Sequence, residues 1–93
     1  MSAYVRIYVR AAGGSLTDTR QEFGLESFAG QLPSIGDMIL APGVLSHLDR
    51  HEPANRTLWQ VVGRIFNPRD LQTSVILIVE ERPPSTHEAD LVS

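Results

Sequence analysis

Tyr4, Arg6, Tyr8 and Arg10 stand two positions apart, so in an extended strand all four project from one face. Alternating phenol and guanidinium groups on such a face can stack bases and neutralise phosphates, and they suit small acids or anionic peptides equally well. The same four are also ordinary outward residues of a sheet, where arginine stacks on tyrosine and pairs with a cross-strand Glu22 or Glu26. His47 and His51 lie four apart between Asp49 and Glu52, a spacing that one helical turn converts into two imidazoles on one side. The H-E-x-x-H order and a third ligand are missing and Pro53 limits any helix, so a solvated polar loop is the reading. No metal or cofactor is expected.

Other residue types that do chemistry lack partners at useful spacing. Gly13-Gly14-Ser15-Leu16-Thr17 follows a strand, but no G-x-x-x-x-G-K-[ST] pattern is present and the chain has no lysine, which leaves a hairpin loop. Asp37 follows a turn glycine and is placed to cap backbone N–H groups; no base partner for catalysis accompanies it. No G-x-S-x-G elbow supports a serine nucleophile, and no cysteine exists to serve as one. No catalytic residue is assigned.

The elements that must position these groups are strands. Residues 3–11 alternate, with Ala3, Val5, Ile7 and Val9 opposite the tyrosines and arginines, and Gly13-Gly14 ends the run. Thr17-Asp18-Thr19 reads as a polar loop, and residues 21–29 as a second strand with Phe23 and Leu25 in phase. A short helix over the same residues is the rival, disfavoured by Gly24. Pro33-Ser34-Ile35-Gly36-Asp37 is a turn into a third strand, residues 37–41, closed by Pro42-Gly43. Residues 44–56 form a loop. Residues 57–66 are apolar on both faces, as in a central strand, and Asn67-Pro68-Arg69-Asp70 turns the chain into a last strand over 71–81. These give an all-β or mainly β domain over residues 1–82. It has about five antiparallel strands in neighbour-connected order, bent into a partly closed barrel with little helix. Residues 83–93 open on Pro83-Pro84 and lack apolar content, which predicts a structureless acidic tail.

Composition narrows the function classes. Ninety-three residues with 42% hydrophobic and 20% charged side chains suit one globular domain, burying about two-thirds of the unfolded surface. Without cysteine, disulfides and thiolate metal sites are excluded and the core must supply the stability. Residues 1–79 hold seven arginines and seven acids, so the net charge of −3 belongs to the last fourteen residues, where Arg82 faces four acids. A neutral body attracts polyanions weakly, which sets nucleic acid behind protein as a partner. No apolar run approaches the ~20 residues that span a bilayer and no signal-peptide pattern opens the chain, so a cytoplasmic protein without membrane contact is expected.

The pattern P-x-x-G-D-x-[IL], W-x-V-x-x-R and V-x-L-x-V-E is carried by Pro33, Gly36, Asp37, Ile39, Trp59, Val61, Arg64, Val75, Leu77, Val79 and Glu80. It resembles small SH3-like β-barrel proteins, and it is similar to uncharacterised bacterial proteins of this size, some from mobile gene elements. The resemblance spans residues 33–80 and implies a fold without an activity. The chain departs from the nucleic-acid-binding members in its neutral body and its lack of lysine. Two adjacent strands apolar on both faces need cover on both sides, from the barrel's own curl or from a second copy. Trp59, Phe66, Ile76 and Ile78 are the residues expected at such a homodimer interface. The functional expectation is a non-catalytic binding or assembly module, with nucleic-acid or anionic-ligand binding through Tyr4, Arg6, Tyr8 and Arg10 as the alternative.

Overall fold

The computed structural model describes residues 4–42, 48, 52 and 55–92. Five strands, β1 (Tyr4–Arg10), β2 (Leu16–Gly24), β3 (Met38–Leu40), β4 (Leu58–Asn67) and β5 (Leu71–Arg82), form one strongly curled mixed sheet in the order β2-β1-β5-β4-β3. The mainly β, five-strand half-barrel expected from the sequence is what the chain forms.

The neighbour-connected, all-antiparallel order is corrected. β1 lies beside β5 in parallel, Val5 opposite Val75 and Ile7 opposite Leu77, so the two ends of the chain meet at the centre of the sheet. Each strand carries a matching row of branched aliphatic side chains, and pairing the rows puts both beneath a single core.

That core lies on the inner face of the curl. Val5, Ile7, Val61, Leu77 and Val79 are almost completely excluded from solvent, with Val75, Trp59 and Ala41 around them. Phe23, Leu25, Phe28, Leu32 and Ile39 pack on this cluster from above. Burying one such aliphatic side chain is worth about 1.5–3 kcal/mol, which makes this row the main source of stability in a chain without cross-links.

Two bulges shape the curl. On β4 the register with β5 slips between Val61 and Gly63, so Trp59 and Val61 face the core while Gly63 and Ile65 share the outer face with Ile78 and Ile76. The two-sided apolar character of residues 57–66 therefore has two sources, a strand that changes phase and the buried pair Leu58 and Trp59 at its start. On β2 the register slips between the partners of Arg6 and Tyr8, and Arg20 takes φ 60. Side chains replace the lost ladder bonds: Thr19 Oγ1 donates to the Ile7 carbonyl at 2.8 Å, and Asp18 Oδ1 accepts the Arg20 N–H at 2.8 Å.

Thr17, Asp18 and Thr19 are thus strand residues, not a loop, because they complete the hairpin with Tyr8 and Val9. The second strand ends at Gly24, earlier than expected, and Leu25–Phe28 forms a 3-10 turn closed by Ala29 at φ 57. Residues three apart stack in such a turn, so Leu25 and Phe28 both reach the core, and the Phe28 ring meets Phe23 edge-on at 5.7 Å. Pro33 to Asp37 turns as expected: Gly36 adopts φ 97, and Asp37 Oδ2 accepts the Ser34 N–H at 2.7 Å.

The C-terminal segment departs from the expected structureless tail. Thr86–Glu88 is a 3-10 turn with a capping box on Ser85, followed by one α-turn, Ala89–Val92. A charge-pair clamp holds it, with Arg82 Nη1 and Nη2 donating to the two oxygens of Glu88 at 2.8 and 2.7 Å. Among the described residues no helix is long and apolar enough to cross a membrane.

Candidate functional site

The tyrosine–arginine row is assembled on the outer face of β1, as alternation requires, with Tyr4 45% exposed and Arg6 and Tyr8 half-buried. Its arginines already have partners. Arg6 Nη2 donates to Asp18 Oδ2 at 3.1 Å and to the Tyr8 hydroxyl at 3.4 Å, and its guanidinium lies 5.7 Å from the Tyr8 ring centre. Arg10 donates from Nε and Nη2 to one oxygen of Glu80, at 3.1 and 2.9 Å. The expected pairing with Glu22 or Glu26 is replaced because the β2 bulge carries Asp18 opposite Tyr8, within reach of Arg6. An anion approaching this face meets Asp18 and Glu80 beside each guanidinium.

The four interface candidates divide between two faces and the core. Trp59 is 4% exposed in the core, its indole N–H donating to Glu81 Oε2 at 3.3 Å. Ile76 and Ile78 lie on the outer face beside Tyr8 and Ile65, whereas Phe66 sits opposite Val75 on the inner side and is 56% exposed. They do not make one patch. His47 and His51 lie outside the described residues, and among the described residues no three histidine or carboxylate side chains converge.

One concavity lies where local sequence patterns did not indicate it. β2 and β3 are the two ends of the sheet and do not pair, which leaves a seam where a barrel would close. A cleft of about 590 Å³ occupies it. Phe23 of β2, Phe28 and Leu32 of the crossing segment, and Ile39 and Leu40 of β3 form its apolar wall; Ser27, Gln31 and Asp37 form its polar margin. Apolar lining with a few fixed polar groups is what a recognition cleft needs, and the free edge of β3 adds backbone donors and acceptors for an extended partner. Local periodicity could not have found this site, because its β2 and β3 walls, Phe23 and Ile39, are 16 positions apart and meet only through the fold. The one local hint was the run of apolar residues at 23, 25 and 28 that fitted neither period cleanly.

Beside the seam, Arg82 Nη2 also contacts Met38 Sδ at 2.7 Å, so the C-terminal clamp touches the β3 edge. Hydrogen bonds from Arg82 and then from the Ser85 backbone hold the Glu88 carboxyl down at about 2, and Glu88 in turn raises Arg82 above its ordinary value.

Compared with known families, curated proteins and solved structures, the chain matches no family model, no curated protein and no solved structure.

Proposed function

We propose that this protein is a non-catalytic protein-binding module that receives an extended segment of its partner at the seam between β2 and β3. The observation that carries the reading is the unclosed sheet: two edges unpaired among the described residues flank a 590 Å³ cleft walled by Phe23, Phe28, Leu32 and Ile39. An extended chain laid there gains main-chain hydrogen bonds from β3 and places alternate side chains in the cleft. The alternative, binding of nucleic acid or a small anion on Tyr4, Arg6, Tyr8 and Arg10, is weakened by the carboxylates already bonded to both arginines.

The test is capture from a lysate with three tagged chains, each run with and without nuclease. They are the parent, Ser27→Arg with Gln31→Arg, and Arg6→Ala with Arg10→Ala. Ser27 and Gln31 are exposed at the cleft margin, so bulk placed there obstructs the seam without entering the core. A protein retained after nuclease and lost only from the Ser27/Gln31 chain supports the seam. Capture that disappears with nuclease, or with the arginine changes alone, overturns it.

A further inference from the structure

We infer that Met38 is an oxidation site, and that its sulfoxide fastens the C-terminal turn to the edge of the sheet through Arg82. Met38 and Met1 are the chain's methionines, and Met38 is 49% exposed on β3. Its neighbour makes it unlike an ordinary surface thioether. Arg82 on β5 stands opposite Leu58 of β4, and Leu58 stands opposite Leu40 of β3, so the guanidinium reaches across β4 on the outer face to meet Met38. Both Nη atoms of Arg82 are engaged twice. Nη1 donates to Glu88 Oε1 at 2.8 Å and to the Pro83 carbonyl at 3.3 Å; Nη2 donates to Glu88 Oε2 at 2.7 Å and to Met38 Sδ at 2.7 Å. The other acceptors are oxygens, whereas a thioether sulfur accepts weakly. The poorest partner of a charged donor is thus the atom of the group that can be oxidised.

A hydroperoxide supplies the change. The sulfur lone pair attacks the terminal oxygen, the S–O bond forms as the O–O bond breaks, and the departing oxygen takes up the proton of the transferred one and leaves as an alcohol, or as water from hydrogen peroxide. Sulfur gives up an electron pair and the peroxide gains it. The new oxygen is a strong acceptor one bond beyond the sulfur, and the unbranched, flexible side chain gives it room to face Nη2. Glu88 keeps the N–H groups it already holds, so the carboxylate clamp is not displaced. Only the remaining N–H of Nη2 changes, from a weak contact with sulfur to a charge-assisted hydrogen bond. Glu88 closes the turn Thr86–Glu88 and precedes Ala89–Val92, so whatever fixes Arg82 on β3 fixes these residues with it.

Hydrogen peroxide is the probe, applied to the full-length chain with Met38→Leu and Arg82→Ala chains alongside. Mass spectrometry of the tryptic peptide, residues 21–50, is expected to find a single added oxygen on Met38. The N–H of Glu88, which donates to the Ser85 carbonyl at 3.0 Å, should then exchange with solvent more slowly by about threefold or more. Treated Met38→Leu, which keeps Met1, should show no slowing. Nor should Arg82→Ala, whose Met38 is oxidised but has no guanidinium to receive its oxygen. A Met38 that stays reduced while Met1 is oxidised overturns the inference. So does unchanged or faster exchange at Glu88 in the oxidised parent, or equal slowing in either variant. The exchange is read in the C-terminal turn, so each result stands apart from what the seam binds.

Discussion

Replacing Arg6 and Arg10 together by alanine distinguishes a face that recruits anions from one whose charges are consumed internally. Were both guanidiniums bound to a single-stranded backbone, each would release counterions worth about 0.7 in the slope of log affinity against log salt, so their loss would flatten it by about 1.4. In this protein Asp18 Oδ2 lies 3.1 Å from Arg6 and Glu80 Oε2 lies 2.9 Å from Arg10. A phosphate would have to displace a carboxylate and then stand beside it. The expected change in slope is therefore close to zero. The substitutions act on stability instead. Both pairs are more than a third exposed, which keeps each near ~0.2–1 kcal/mol, and loss of Arg6 stacking on Tyr8 adds ~0.5–1 kcal/mol. Together they cost about 1–3 kcal/mol, and in a domain of this size each kcal/mol lowers Tm by about 4–8 °C. Fluorescence anisotropy with a labelled oligothymidylate between about 50 and 200 mM salt reads the first quantity, and calorimetry the second. A tenfold loss of affinity with a flattened slope and an unchanged Tm refutes the reasoning.

Further outcomes follow from the packing and the turns. Leu77→Ala removes a side chain with no solvent exposure at the centre of the sheet and should cost about 2–5 kcal/mol in urea unfolding; a loss under about 1 kcal/mol contradicts the described core. The same glycine-to-alanine change should have opposite consequences at two sites. Gly36 has φ 97, so alanine there costs about 1–2 kcal/mol, whereas at Gly63 an added Cβ meets Ile78 at an ordinary 3.6 Å and stability holds or rises by about 0.4–1 kcal/mol. Glu88 is depressed from 4.5 to about 2, so its contribution is complete above pH 4.5 and is lost as pH falls toward 2. NMR shifts of the Ala89–Val92 turn should move over that range while the Leu77 methyls stay fixed, and Glu88→Gln should remove the transition.

Strands whose period is set by one buried face were readable without the fold. Val5, Ile7 and Val9 against Tyr4, Arg6, Tyr8 and Arg10 can only be a half-covered strand, and Asn67 does accept the Asp70 N–H at 3.2 Å in the turn its residues describe. What stayed hidden depends on distant partners. Nothing in residues 4–10 or 71–82 announces that they lie side by side in parallel, since each row of aliphatics would fit an antiparallel neighbour equally well. Thr17 to Thr19 look like loop because their polar side chains serve backbone groups around a bulge, the Ile7 carbonyl and the Arg20 N–H. Phe66 and Ile76 look like one interface until the slip at Val62 sends them to opposite faces. The seam is likewise a property of closure, created by two strands that fail to meet.

The parallel pairing of β1 with β5 also dictates an order of events in making the protein. Its partners are 70 positions apart, so the central ladder cannot form until residues 74–79 have left the ribosome. The β1–β2 hairpin and the β3–β4–β5 meander can each assemble from local contacts, and the last step joins two preformed halves along β1. Until then β1 exposes an unpaired edge with Val5, Ile7 and Val9 uncovered, a surface open to mispairing with neighbouring nascent chains. A chain cut in the segment between Phe28 and Met38 retains both halves intact, so co-expressed fragments should find each other through that same ladder.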